Sequence, residues 1–203
     1  MCSETFLRLP EEKKDRFLEA AWAEFTRVRF ADTSINQIVR RCGIARGSFY
    51  QYFKDKEDLL RYMLESGWDY LTAGYYGVLR EVEGDIFAMH ILCFDRFLAQ
   101  CGEGADPTLE HLLQFLRMNP GFDMQKIVSV PPACPLFVGC WPDIDTERLR
   151  RSDREYAFEV FSLCLMVLVH AVVESIIHPE TAEECRRGLI SRLEIIRLGS
   201  GAQ

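Results

Sequence analysis

Apolar side chains recur along this chain at the three- and four-residue spacing of amphipathic helices, and no run alternates convincingly as a strand would. Near the N terminus, Phe17, Ala21 and Phe25 fall on one line, which predicts a helix over about residues 10–29. Trp22 lies beside that line and is interpreted as core, because an aromatic on an apolar stripe is usually buried. Similar patterns predict some nine helices, so we expect an all-α fold.

Two short helix patterns separated by a glycine follow in the sequence TSINQIVRRCGIARGSFYQYFKDK, residues 33–56. Ser34 and Gln37 fit a capping box at the start of the first helix. Gly43 comes just after its last periodic residue, where a left-handed backbone ends a helix. The second helix covers about residues 45–53, and its inner face carries two phenylalanines four positions apart, Phe49 and Phe53. This arrangement predicts a helix-turn-helix.

The charge of this segment is opposite to that of the whole chain. The chain has 31 Asp plus Glu against 24 Lys plus Arg, a net charge of -7, which a DNA duplex repels at long range. The basic residues of positions 33–54, which include no acid, are Arg40, Arg41, Arg46 and Lys54. Such local concentration favours DNA binding. A solvated basic helical hairpin is the alternative.

Residues 33–60, with CGIARGS at the turn and FYQYFKDKEDLL at the exit, resemble the DNA-binding signature of the TetR family of transcriptional regulators. The resemblance covers about the first sixty residues. It implies an N-terminal three-helix helix-turn-helix domain, residues 1–58, which binds DNA. It also implies a C-terminal helical ligand-binding and dimerisation domain, residues 59–203.

The resemblance further implies which positions contact DNA. Those expected to reach base edges in the major groove are Arg46, Gly47, Ser48 and Asn36. Those expected to hold the phosphate backbone are Thr33, Ser34, Tyr50, Tyr52 and Lys56. For Gln51, base contact and exposure to solvent are equally expected. For Arg40 and Arg41, phosphate contact and ordinary exposure to solvent are equally expected.

A long helix is predicted from about Leu60 to Gly84, followed by helices over residues 85–101 and 107–118. In the family, the long helix links the DNA-binding domain to the regulatory core and acts as a lever. The resemblance also implies a pocket for an unknown small-molecule effector. Its candidate lining is Trp68, Phe87, Met89, Phe94, Phe97, Phe115, Met118 and Phe137. An aromatic and methionine inventory of this kind is more often plain core.

Seven prolines and glycines interrupt residues 119–142, where we expect only a short helix over 122–128 and the start of a core helix at 134–141. Two last helices are predicted over residues 146–177 and 179–198. The apolar run at 160–173 has 14 residues, fewer than the roughly 20 that span a bilayer, and predicts a buried helix rather than membrane association.

The resemblance implies that these last two helices pack across a twofold axis against the same helices of a second copy. The homodimer would then read a palindromic double-stranded DNA operator, whose half-sites lie about 34 Å apart.

Other chemistry is weighed against plainer interpretations. His170, Glu174 and His178 step by four and could bind a metal with help from another subunit, but a polar stripe is the more common use of such a pattern. The cysteines form no CxxC pair, and only Cys134 and Cys140 are considered for redox sensing, against an inert alternative.

The sequence contains no GxSxG, Walker loop, HExxH or GxGxxG motif, so we expect no enzyme activity, no metal and no cofactor. The N-terminal residues lack the apolar run of a signal peptide, which favours the cytoplasm.

Two functions from different classes follow. The first is a TetR-like regulator, a homodimeric repressor released from its operator by a small molecule. The second is a non-specific DNA-binding or partner-binding helical protein without ligand-controlled regulation.

Overall fold

The computed structural model describes residues 3–72, 75–101, 107–122 and 135–201, and within these ranges it contains α-helices and short 3-10 turns but no strand. The helices are α1 (Glu4–Leu7), α2 (Glu11–Phe25), α3 (Ile35–Cys42), α4 (Arg46–Tyr52), α5 (Lys56–Thr72), α6 (Tyr75–Glu81), α7 (Ile86–Gln100), α8 (Pro107–Met118), α9 (Pro135–Cys140), α10 (Arg154–Ile177) and α11 (Ala182–Ser200). The predicted all-α fold class is confirmed.

The chain forms two compact units that do not follow simple sequence order. The first unit contains Met1–Asp69 together with Asp106–Ile127, so α8 belongs with the N-terminal helices. The second unit contains Tyr70–Ala105 together with Val128–Gln203. Each unit has its own buried side chains and is described separately below.

The core of the first unit is built on α2, as the apolar stripe predicts. Phe17, Ala21 and Phe25 are buried, and Trp22 stacks on His111 of α8 with ring centroids 5.4 Å apart. The core interpretation of Trp22 is confirmed. Helix α2 ends at Phe25 rather than near residue 29, and Thr26 follows as its C-cap.

Helix α1 was not predicted, since four residues are too few for periodicity to be visible. The fully buried ring of Phe6 lies 4.8 Å from Phe53 and 5.4 Å from Phe17, measured between ring centroids. The Ser3 side chain caps α1, and the Ser3 N–H donates to the Tyr52 carbonyl at 3.0 Å. Helix α1 therefore closes the aromatic cluster beneath α4.

The second unit is organised around α7 and α10. Asp85 caps α7 by accepting from the N–H groups of Phe87 and Ala88, and Arg148 holds the same carboxylate at 3.0 Å. Helix α10 begins at Arg154, where Asp153 provides the N-cap, and not at residue 146 as expected. Both α7 and α11 pack against α10.

Two further expectations are adjusted by the structure. The single helix predicted from Leu60 to Gly84 is described as α5 and α6, with residues 73–74 between them outside the described ranges. The helix predicted over residues 122–128 lies outside those ranges beyond Phe122.

By length and composition, α10 is the one helix of the described ranges that could cross a membrane. In the structure, 44% of its most apolar window is buried inside the protein, against α7 and α11. A core helix meets the same criteria, and that burial fits the predicted core helix.

Candidate DNA-binding surface

Helices α3 and α4 meet at Gly43, the glycine predicted to end the first helix. Its φ of 71° is the left-handed conformation that glycine adopts without strain. The Ile44 N–H donates to the Val39 carbonyl at 3.0 Å and closes the turn. Ile38 and Val39 are buried on the inner face of α3. The predicted helix-turn-helix is confirmed.

Helix α4 separates an aromatic inner face from a polar outer one. The rings of Phe49 and Phe53 are buried, as predicted. The exposed residues of α4 are Arg46, Gly47, Tyr50 and Gln51, while Ser48 and Tyr52 are half-buried. Four of the residues predicted to contact DNA thus share one outward strip, and Asn36 is exposed on α3.

Arg46 and Tyr50 contact each other along this strip. The Arg46 guanidinium donates to the Tyr50 hydroxyl at 3.3 Å and lies 5.8 Å from the centroid of its ring. Both side chains are exposed, so solvent weakens the interaction and a base edge could compete for the guanidinium.

Gly47 has no steric reason to be glycine within the described structure. A Cβ added there would meet no atom within 4 Å, and the residue has no positive φ. Glycine destabilises a helix interior by up to about 1 kcal/mol relative to alanine. Without a Cβ at this exposed position, a molecule outside the chain could approach the backbone closely.

The predicted capping box of α3 does not form, because the Ser34 side chain makes no capping hydrogen bond. Instead the Ser34 N–H donates at 3.1 Å to the carboxylate of Glu24, near the end of α2. Glu24 is only 3% exposed and accepts three contacts from the Arg27 guanidinium at 2.9–3.0 Å. The Glu24 carboxylate of α2, paired with the half-exposed Arg27, thus accepts from the N-cap N–H of α3, which is the role that the capping box assigned to Gln37.

An open cleft of about 490 Å³ lies beside this ion pair. Its lining consists of Glu24, Arg27, Gln37, Arg40 and Arg41. The side chain of Arg27 is half exposed although its donors hold Glu24, so its orientation is fixed. Sequence reasoning missed Arg27, because it lies outside the acid-free window and joins the cleft only through tertiary packing.

Several positions predicted to hold phosphates are engaged inside the protein. Lys56 Nζ donates to the carbonyls of Phe30 and Ala31 at 2.7 and 2.9 Å and lies 4.9 Å from the Phe30 ring centroid. The buried Thr33 hydroxyl donates to the Phe30 carbonyl at 2.8 Å. Tyr52 packs its ring against Phe6. An ammonium has three donors, so Lys56 retains one for a phosphate.

The connection between α2 and α3 is also held from α8. The Asn119 side-chain carbonyl accepts from the Phe30 N–H at 2.7 Å, and Gln114 Nε2 donates to the Thr26 carbonyl at 3.3 Å. Phe115 meets Phe30 edge to face. The segment that precedes α3 therefore contacts α8 and the residue that follows it, since Phe30 and Asn119 are 89 positions apart in the sequence.

The candidate pocket residues are divided between the two units. Phe87, Met89, Phe94, Phe97 and Phe137 are buried in the second unit. Phe115 and Met118 belong to the first unit with α8, and the side chain of Trp68 lies outside the described part. Their role as a ligand pocket stays a prediction.

The remaining candidates are placed as follows. His170 and His178 are exposed and Glu174 is half-buried, and His178 is the C-cap of α10. Among the described residues, no group of three or more His, Cys, Asp or Glu side chains could hold a metal. Cys140 is fully buried, whereas Cys134 lies outside the described ranges.

Residues 17–63 match the family described as bacterial regulatory proteins, tetR family. The chain carries the DNA-binding domain of the TetR family of transcriptional regulators. The match begins within α2 and runs through α3 and α4 into α5, which are the elements that build the surface described above. The resemblance stated from the sequence is confirmed.

Curated relatives agree over the TetR-type domain. The chain is 35% identical over 75 residues to the uncharacterized HTH-type transcriptional regulator YerO of Bacillus subtilis strain 168, which is 37% of this chain and 25% of that protein. It is 31% identical over 86 residues to the HTH-type transcriptional regulator HbdR of Aromatoleum sp. strain CIB, 42% of this chain and 36% of that protein. The match thus spans about a quarter to a third of these relatives.

Beyond the TetR-type domain, the chain resembles a solved structure in fold. A TetR-family transcriptional regulator from Mesorhizobium loti aligns over 94% of this chain and 98% of its own, with a TM-score of 0.54 and 16% identity. The helical region that follows the DNA-binding domain therefore shares the fold of a solved regulator of this family.

Proposed function

We propose that the protein is a homodimeric TetR-type repressor that binds a palindromic operator in the cytoplasm and is released by a small-molecule ligand. The observation that carries the proposal is the outward strip of α4, Arg46, Gly47, Tyr50 and Gln51, inside a window without acidic residues. The proposal keeps DNA binding in residues 1–58 and assigns regulation and dimerisation to residues 59–203.

Base reading is assigned to the start of α4. An exposed arginine beside a glycine lets a guanidinium reach the O6 and N7 atoms of guanine while the backbone comes near the groove wall. The cleft formed by Arg27, Arg40 and Arg41 adds positive charge that is suited to phosphate rather than to bases.

Dimerisation is supported by apolar side chains left uncovered on the last two helices. On α10 these are Leu163 and Met166, and on α11 they are Ile195 and Leu198, which are 67% and 82% exposed. On each helix the pair steps by three, so each pair lies on one face. Burying both faces against a second copy would remove this apolar surface from water.

Release by ligand is supported by the contacts of α8 with the segment before α3. A ligand that prefers a conformation in which Asn119 no longer holds Phe30 would shift the population away from the DNA-binding arrangement. Coupling of this kind requires two states of the protein that differ in affinity for the ligand. It does not require the ligand to contact the DNA.

The test is selection of bound duplexes from a random DNA pool at physiological salt, with wild type, Arg46→Ala and a control, Arg80→Ala. Arg80 is an exposed arginine of α6 in the second unit. We expect wild type and the control to enrich one motif with two half-sites, and Arg46→Ala to lose or relax it. Absence of a motif from folded wild-type protein would support the alternative of non-specific DNA binding.

A further inference from the structure

His90 of α7 lies at the meeting point of four helices in the second unit. Its imidazole is fully buried, 5.4 Å from the Phe161 ring of α10 and 6.1 Å from the Tyr75 ring of α6, measured between centroids. Phe137 of α9 packs edge to face on Phe161. These residues, with Cys93 on the next turn of α7, are called the His90 cluster.

The hydrogen bonding of the ring defines its tautomer. His90 Nδ1 lies 2.5 Å from the Ile86 carbonyl oxygen, which can only accept, so Nδ1 carries the proton. Burial lowers the pKa of His90 from 6.5 to about 4, so the ring is neutral at physiological pH. Nε2 is consequently an unprotonated acceptor.

Nε2 of His90 has no hydrogen-bond partner. Among the described residues, it is the one buried side-chain nitrogen or oxygen without such a partner. A buried acceptor without a partner costs free energy, and folded proteins normally satisfy such groups. An unmatched acceptor that is kept in a core therefore calls for a donor from elsewhere.

The polar neighbours of the ring include the Tyr75 hydroxyl and the Cys93 thiol. Burial beside that thiol raises the pKa of Tyr75, and burial raises the pKa of Cys93 to about 12, so both groups stay protonated. The Phe161 ring faces the imidazole edge to face, and Phe137 in turn packs on Phe161.

We propose that His90 is the polar anchor of the effector site, and that the effector is an uncharged, mainly apolar molecule that donates one O–H hydrogen bond to Nε2, such as an aromatic alcohol. This inference rests on the proposed ligand-controlled function and specifies its ligand. The surrounding aromatic rings would contact the apolar body of the molecule. Because the site is fully buried, a charged ligand would lose its hydration there, which disfavours carboxylates and phosphates.

The test compares two probes of similar shape, phenol and anisole, of which phenol alone donates a hydrogen bond. Full-length wild-type protein with ¹⁵N-labelled histidine is titrated with each probe, and the Nε2 resonance of His90 is followed by NMR. Its assignment comes from the signal lost in His90→Leu, and melting temperatures are recorded in parallel.

We expect phenol to move the Nε2 resonance and raise the melting temperature of wild type, whereas anisole does neither. We expect His90→Leu to melt at a higher temperature than wild type and to lose the response to phenol. An unmoved Nε2 resonance with phenol, or equal stabilisation by anisole, would overturn the assignment. Should His90→Leu fail to fold, His111→Gln, His170→Gln and His178→Gln assign the signals of the other three histidines, and the remaining signal is that of His90.

Failure of this site and failure of the proposed function give different results. The NMR titration needs no DNA, and the selection from random duplexes needs no ligand. An operator motif together with an unmoved Nε2 resonance removes the His90 site and leaves the regulator. Binding of phenol at Nε2 that leaves operator affinity unchanged overturns ligand-controlled release and leaves the site.

Discussion

The side-chain carbonyl of Asn119 accepts a hydrogen bond of 2.7 Å from the backbone N–H of Phe30, which joins the C-terminal end of α8 to the segment that leads into α3. The Asn119 amide group also donates to the Phe115 carbonyl at 2.9 Å, so both ends of the amide are fixed. A change in the position of α8 would reach the segment before α3 through this side chain, together with Gln114 and Phe115.

Replacing Asn119 by alanine should lower the free energy of unfolding by about 1 kcal/mol, because the Phe30 N–H loses its partner. It should also weaken operator binding, since the segment before α3 is no longer held. Urea unfolding and fluorescence anisotropy with the selected operator measure the two effects. Asn119→Asp retains an acceptor for Phe30 and serves as the control. Equal operator affinity in all three proteins would exclude α8 as a regulator of α3.

Lys56→Ala separates an internal role from a phosphate contact. Loss of the bonds to Phe30 and Ala31 should cost about 1 kcal/mol of stability. If the third donor also holds a phosphate, the slope of log affinity against log salt should fall by about 0.9. Lys54→Ala removes an exposed charge from the same region and is the control. An unchanged salt slope with reduced stability would make Lys56 purely structural.

Gly47→Ala should stabilise the folded protein by up to about 1 kcal/mol and still weaken operator binding at least tenfold, or about 1.4 kcal/mol. The opposite signs arise because the added methyl group meets nothing in the protein but occupies space at the predicted groove contact. Gly77→Ala, at another open helical position, should stabilise the protein without affecting binding. Unimpaired binding by Gly47→Ala would place this backbone away from DNA.

The stability of the protein should depend on pH through His90. The unfolded state binds a proton below pH 6.5 while the folded ring stays neutral down to about pH 4, so stability falls as pH drops through this window. From pH 8 to pH 5 the loss should be about 2 kcal/mol. Urea unfolding of His90→Leu should lack this component. Identical pH dependence in both proteins would contradict the burial of a neutral ring.

The double substitution Ile195→Glu with Leu198→Glu should convert the dimer to a monomer, because two charges would enter the proposed apolar interface. Sedimentation velocity measures the change. Leu7→Glu alters another exposed apolar residue, in α1, and should leave the dimer intact. A wild type that sediments as a monomer would remove the dimer from the proposed function.

The sequence predicted those features that depend on neighbouring residues. The Gly43 turn, the inner phenylalanines of α4 and the stripe of α2 follow from spacing alone, and all three appear in the structure. Features that depend on distant partners could not be predicted. The cap of α3 comes from Glu24, Arg27 joins a cleft with Arg41, and α8 belongs with the N-terminal unit. Local periodicity contains no signal for such contacts.

The start of α10 shows a similar limit. The apolar pattern of α10 and the aspartates that precede it are compatible with more than one first residue, and the sequence predicts a start near residue 146. Asp153 caps the helix through the Tyr156 N–H, while Asp145 forms a separate turn with the N–H of Glu147. Two aspartates eight residues apart could each begin a helix, and only packing selects between them.

The carboxylate of Glu24 has a consequence for moving this protein's DNA-binding motif into other proteins. Since Glu24 of α2 accepts from the N-cap N–H of α3, a graft of residues 33–54 onto an unrelated scaffold would carry the side chains proposed to read bases but not this acceptor. The smallest transferable unit therefore extends back at least to Glu24 and Arg27, and chimaeric regulators built from this chain should be joined upstream of α2.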